Sequence, residues 1–237
     1  MTLPLRSSKI GIRQAGGAAA RHFHKECSDM DNLLTKQSEE FNFLASPDRA
    51  GIFIGLCGTI DKLMRRRKRV IVAIDGDCAS GKTSLARLLG STYSCNVFQM
   101  DDFFLRPAQR TPERLAEPGG NIDYERFREE VLKPLKSGKP FAYRPYDCHT
   151  GELSEPVAVD PTPLNVIEGA YSMHPHFGRA YDYRVFMRVH VIDQRCRLLK
   201  RNEDLFDRYL DEWIPMEHKY FDHFKIPEKC NEVMILH

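Results

Sequence analysis

The sequence predicts an α/β domain, a parallel β-sheet flanked by helices on both faces, with a glycine-rich turn at the end of its first strand. Three observations predict it. Val70-Ile71-Val72-Ala73-Ile74 is an unbroken apolar run, as a strand buried on both faces requires. A turn bracketed by Gly76 and Gly81 follows at once and opens a segment with Leu85, Leu88 and Leu89 on one helical face. Further apolar runs then alternate with segments of helical period, the pattern of a parallel sheet.

Composition sets the limits. A chain of 237 residues suits one large domain with appendages, and 42% hydrophobic with 29% charged residues is ordinary for a globular protein. A formal net charge of +2 gives no ground for nucleic acid or a membrane as a general partner. No apolar run reaches the length that spans a bilayer. Seven dispersed cysteines with no CxxC pair read as reduced thiols, hence a cytoplasmic protein. A homo-oligomer is left open.

Taken in order, residues 1–45 differ from the rest. Their first part carries Arg6, Lys9, Arg13, Arg21 and Lys25 with no acid, and a small-residue stretch over 16–20. That bias fits a mitochondrial transit peptide, a poorly ordered tail, or sequence upstream of a true start at Met30. His22, His24 and Cys27 are metal-ligand types, but one short tract lacks a fourth ligand. The domain proper is expected over 46–237. Ser46-Pro47-Asp48 is a helix start signal, and Ile52, Leu56, Ile60, Leu63 and Met64 recur on one face of a helix over 46–68. The run Arg65-Arg66-Arg67-Lys68-Arg69 reads as its solvated C-terminus, where cations meet the negative end of the dipole, rather than as a nucleic-acid patch. After the first strand, turn and helix, residues 96–100 form a second strand that ends at Asp101-Asp102. Residues 105–122 are rich in Pro, Gly and Arg and read as a long loop. Phe127, Val131 and Leu135 mark a helix; 164–167 and 183–192 are the third and fourth strands. A helical stretch over 194–220 breaks or restarts at Pro215, and 232–236 is a last strand.

Gly76-Asp77-Cys78-Ala79-Ser80-Gly81-Lys82-Thr83 fits the P-loop pattern G-x-x-x-x-G-K-[ST], and the strand before it and helix after it supply the required context. Both glycines let the backbone fold tightly enough to aim N–H groups at phosphate oxygens, and the helix start adds its positive dipole end. Gly76 through Ser84 is therefore the candidate site for the phosphates of ATP. Lys82 would neutralise the β- and γ-phosphates and Thr83 would offer its hydroxyl to Mg2+. Asp77, a carboxylate beside phosphates, should point outward.

Three further stretches bear on what is done with the triphosphate. Asp101 and Asp102 end a strand at the sheet edge where ligands sit. If successive residues alternate there, only one acid faces the site, and it could take the proton of an attacking hydroxyl. Glu168 ends the apolar strand Asn165-Val166-Ile167, the position of a magnesium-site acid. Arg195, Arg197, Lys200 and Arg201 form a cationic helix able to close over the triphosphate and exclude water, or simply an exposed basic face.

The order of the 76–83 loop, 100–104, Asn121-Ile122-Asp123, Pro145-Tyr146-Asp147, 166–169 and the Arg-rich helix resembles the uridine kinase family of P-loop small-molecule kinases over roughly residues 68–237. The resemblance implies that Asp101 activates the acceptor hydroxyl and that Glu168, with Thr83 and Asp101, serves the magnesium. It implies that Asp123 holds ribose hydroxyls, that Tyr146 lies in the nucleoside-binding segment, and that Arg201 and Arg197 belong to a lid over 194–212. Cys148-His149-Thr150-Gly151 departs from the family's base-contacting residues. His149 and His174 are further candidates for substrate contact, against the reading that they are solvated loop residues. The expected function is ATP- and magnesium-dependent transfer to a small hydroxylated acceptor, with uridine or cytidine first. Nicotinamide riboside, pantothenate and sugar-phosphate kinases are the alternatives within the class, and a nucleotide-binding regulator or weak NTPase is the alternative outside it.

Overall fold

The computed structural model describes residues 43–44 and 46–236, all within one compact unit, Asn42–His237. The expectations for residues 1–42 and 45, including the His22/His24/Cys27 tract, lie outside the described residues. Five strands make the central sheet: β1 (Val70–Gly76), β2 (Cys95–Gln99), β7 (Leu164–Glu168), β8 (Tyr183–Val189) and β9 (Glu232–Leu236). Their order is β2-β7-β1-β8-β9, and every pairing is parallel. Two small antiparallel pairs sit apart from it. One joins β3 (Phe141–Tyr143) to β6 (Val157–Val159); the other joins β4 (Tyr146–Asp147) to β5 (Glu152–Leu153).

Strand alternation divides the core in two. Val70, Val72 and Ile74 of β1 pack into one apolar cluster with Val166, Val185 and Met187, and Ile71 and Ala73 pack into the other with Phe98, Ile167 and Phe186. The first cluster is covered by α1 (Pro47–Arg66), through Phe53, Leu56 and Ile60, and by α2 (Lys82–Thr92), through Leu85, Leu88 and Leu89. The second is covered by Phe127, Val131 and Leu135 and by Tyr220 and Phe221. Helices therefore lie on both faces, as the continuous apolar run of β1 demands.

Several boundaries differ from the sequence expectation, each for a local reason. The fourth strand ends at Val189, not 192. His190 takes the N-cap of the next helix, Nδ1 accepting from the Ile192 N–H at 3.4 Å, and Val191 and Ile192 are exposed on that helix. The 105–122 stretch holds a 3₁₀ turn, Pro107–Gln109, and α3 (Pro112–Ala116), which Thr111 caps by accepting from the Arg114 N–H. The helix marked by Phe127 runs as α4 (Tyr124–Phe127), a π turn Arg128–Leu132, and α5 (Lys133–Ser137). After β8 come α6 (Val191–Arg201), a short turn α7 (Phe206–Arg208), a π turn Tyr209–Trp213, and α8 (Ile214–Phe224). Pro134 and Pro215 each follow a π turn closely. Neither has an N–H to continue the α ladder, so the chain widens by one residue just before each.

The basic run resolves as a helix end. Arg65 and Arg66 lie in the last turn of α1, Arg67 pairs with Asp182, and the Arg69 guanidinium donates to the Lys136 carbonyl at 3.1 Å. Among the described residues no helix is long and apolar enough to cross a membrane, and all six described cysteines are free thiols.

Candidate active site

The P-loop is built by what lies behind it. At Gly76 φ is 136°, and a Cβ there would stand 2.1 Å from the Met187 carbonyl oxygen of β8. Only glycine fits. At Gly81 a Cβ would meet only ordinary contacts, Leu236, Met187 and Phe43 each at 3.8 Å, but φ is 96°, and this left-handed turn starts α2. Within the loop, Lys82 is buried and its Nζ donates to the carbonyls of Gly76 and Asp77, both at 2.8 Å. The ammonium is thus held centrally under the loop. Thr83 follows on α2, and its Oγ1 donates to Glu168 Oε1 at 3.0 Å.

Asp77 does not point into solvent as expected. It is buried, and its Oδ2 accepts from the Val189 N–H at 3.2 Å. The carboxylate thereby leaves the phosphate side and meets a donor at the end of β8. Asp75, the last polar residue before the turn, is fully buried and went unnoticed in the sequence. Its oxygens accept from the Gly76 and Met173 N–H groups and from the Tyr220 hydroxyl. Burial pushes its pKa up to about 6, against the pull of those bonds and of Lys82.

Asp101 and Asp102 are carried on a 3₁₀ turn, Met100–Phe103, not on strand residues, so strand alternation is not what separates them. Asp102 Oδ2 accepts from the Tyr143 hydroxyl at 3.1 Å, and its backbone carbonyl accepts from Arg126 at 2.7 Å. Asp101 makes no such tie and remains solvent-accessible. It sits low among protein atoms, and that desolvation raises its pKa while the charges of Lys82 and Arg201 pull it down. Of the two acids, the one open to solvent is Asp101. Glu168, at the end of β7, is buried, and burial pushes it up to about 7; Lys82 and the Thr83 bond oppose, and Asp101 adds to the rise.

The acceptor-side candidates divide. Asp123 is buried as the N-cap of α4. Its Oδ1 accepts from the Arg126 N–H at 3.1 Å and its Oδ2 from Gln109 Nε2 at 2.8 Å. With Leu105, Gln109, Thr111, Arg114 and Glu125 it lines an open cleft of about 440 Å³. Tyr146 starts the β4–β5 hairpin, and Asp147 Oδ1 accepts from the His149 N–H at 2.8 Å, which leaves His149 exposed on the turn. The hairpin reaches the site: Cys148 lies in the fields of Asp101 and Arg110. His174 is a core residue instead of a solvated loop or substrate group. It stacks on Tyr124 at 4.3 Å between ring centroids and on Tyr220 at 6.2 Å, and burial lowers its pKa to about 4.

Of the two arginines expected in a lid, Arg197 Nη1 donates to the Ala79 carbonyl at 3.1 Å, and Arg201 is felt electrostatically by Asp101 and Cys78. The same helix contributes Gln194, and α8 contributes Glu217; both bond to Cys78 of the loop. Sequence reasoning missed these two. The signal for Glu217 was present: a lone acid on the face that otherwise carries Tyr220, Phe221 and Phe224.

No protein-family model and no curated protein matches the chain. Among solved structures, a possible uridine kinase from Bacillus stearothermophilus is similar at 21% identity, covering 76% of this chain and 99% of its own, with a TM-score of 0.56. TT1252 from Thermus thermophilus matches more loosely, at 17% identity over 72% of this chain and 90% of its own, with a TM-score of 0.40. The central parallel five-stranded sheet with helices on both faces is that of a P-loop kinase-like fold.

Proposed function

We propose that this chain is an ATP- and magnesium-dependent kinase that phosphorylates a hydroxyl of a small nucleoside-like acceptor, with uridine and cytidine as the first compounds to try. One observation carries the reading. The Lys82 ammonium, the Thr83 hydroxyl and the Glu168 carboxylate meet at one sheet edge, and the one accessible acid beside them, Asp101, lies in the fields of Lys82 and Arg201. A hydroxyl and a carboxylate 3.0 Å apart suit magnesium, which takes few protein ligands and leaves the rest to water and phosphate. When bound, that ion supplies charge neutralisation at the triphosphate.

The chain's own groups would divide the remaining work. Lys82 and Arg201 offset charge on the transferred phosphoryl, and Asp101 accepts the acceptor's proton. The open cleft beside Asp123 and Gln109, and the separate β4–β5 hairpin, have no use in a pure nucleotide switch and offer surface to a second substrate. A coupled ADP-release assay over nucleosides and small alcohols tests the reading. ADP release should rise above the acceptor-free rate with at least one nucleoside; a rate that no acceptor raises means a nucleotide-binding regulator or weak NTPase. Asp101→Asn should cut turnover by about 100-fold or more, the range for removing a general base, and leave ATP affinity near wild type. Undiminished turnover in that variant would take Asp101 out of its role.

A further inference from the structure

The outer edge of the P-loop is held by three side chains from the C-terminal helices. Glu217 Oε2 of α8 accepts from the Cys78 N–H at 2.8 Å. Gln194 Nε2 of α6 donates to the Cys78 carbonyl at 2.9 Å, and Arg197, one turn further on, donates to the Ala79 carbonyl at 3.1 Å. The neighbouring Ser80 N–H is used inside the loop, donating to the Asp77 carbonyl at 3.1 Å. A donor in a loop built to meet phosphate is thus already occupied, and its occupant is an acid.

An uncharged acceptor would satisfy the Cys78 N–H as well, so the carboxylate calls for its own account. Glu217 is only 7% exposed. The groups whose charge it feels are Lys82, Asp77 and Asp75, and it is felt in turn by Cys78, Tyr171 and, on the preceding π turn, Tyr209. Lys82 is the one cation in that set. A triphosphate arriving at Lys82 draws on the same positive charge and places further negative charge beside a buried acid. Burial already pushes Glu217 up to about 7, with Lys82 opposing and the two aspartates reinforcing.

We propose that Glu217 is a positioning residue of the nucleotide site: it ties the P-loop to α8 through the Cys78 N–H, and when ionised it opposes the triphosphate, so that nucleotide binding takes up a proton at Glu217. This rests on the part of the functional reading that places a triphosphate on the loop and is independent of acceptor and turnover. The sign follows from linkage. A nearby anion raises the pKa of a carboxylic acid, so affinity falls as pH rises through the value of the free protein.

Glu217→Gln separates the two roles, because glutamine keeps an acceptor oxygen for the Cys78 N–H and removes the charge. Magnesium-ATP affinity measured by calorimetry at pH 6 and pH 8, in wild type and E217Q, reads the charge; comparing the two proteins cancels the titration of ATP itself and of Glu168 and Asp75. For a rise of one pKa unit on binding, E217Q should bind about fivefold tighter than wild type at pH 8 and nearly equally at pH 6. Proton uptake in buffers of different ionisation heat should fall in the variant. Hydrogen exchange of the Cys78 amide reads the tie without nucleotide: about tenfold faster in Glu217→Ala, near wild type in E217Q. Wild-type binding of ATP with no difference in E217Q at either pH, or unchanged exchange in Glu217→Ala, overturns the proposal and leaves the kinase reading standing. A wild-type protein that binds no ATP overturns both.

Discussion

Adjacent acids reach different surroundings here because of the turn that carries them. On a 3₁₀ segment of about three residues per turn, neighbours diverge, so Asp102 reaches Tyr143 while Asp101 stays open to solvent. The pair Asp101/Asp102 was visible in the sequence; which member is tied down and which stays open was not, because it depends on Tyr143, about forty residues later. His174 shows the reverse case. A histidine followed by proline in a loop segment reads as solvated, yet Tyr124, Tyr220 and Phe224 enclose it, and all three come from other elements. His174→Ala should cost about 2–4 kcal/mol of stability by the cavity it leaves, read by urea denaturation, and should leave the ATP affinity of the folded protein unaltered. A folded variant that lost affinity would return His174 to the site.

Among the elements, the P-loop is the most legible, because its requirements are local. Gly76 is the sharpest case. A methyl there meets backbone rather than a movable side chain, and the left-handed φ adds strain. Gly76→Ala should therefore destabilise by about 3 kcal/mol or more, measured as a lower urea midpoint at unchanged slope. Full stability in that variant would mean that β8 can withdraw from the loop. The helices after β8 were less legible. One stretch with a break at Pro215 became α6, α7, a π turn and α8, since proline removes a donor but does not say how the chain absorbs the loss.

At the scale of the whole molecule, three acids from three elements converge on one end of the sheet: Asp75 near the end of β1, Glu168 as the last residue of β7, and Glu217 on α8. All three are buried, and burial sets their pKa values at about 6, 7 and 7. Each folded-state value lies above the ordinary carboxylate range of about 4. The native state therefore holds these protons more tightly than the unfolded chain, and the stability they contribute is lost as pH rises through 6 to 7. His174 acts the other way, costing stability as pH falls below about 6.5. Nucleotide-free protein should melt roughly 5 °C lower at pH 8 than at pH 6.5, by differential scanning fluorimetry. A flat or rising profile would show that the acids are solvated.

The sequence by itself determined the five strands of the central sheet, the P-loop and the two-faced burial, because strand burial and a glycine turn are written in contiguous residues whose spacing suffices. It also marked Lys82 and Thr83 through the loop pattern, and Glu168 and the Asp101/Asp102 pair as acids at or just beyond the end of a strand whose apolar run can be read. Only the tertiary structure decided that Asp77 turns to β8, that His174 is core, and that Gln194, Arg197 and Glu217 grip the loop. Those outcomes depend on partners more than a hundred residues away, or on rings from other elements. Local pattern carries the period of a helix face; what that face meets is set by packing.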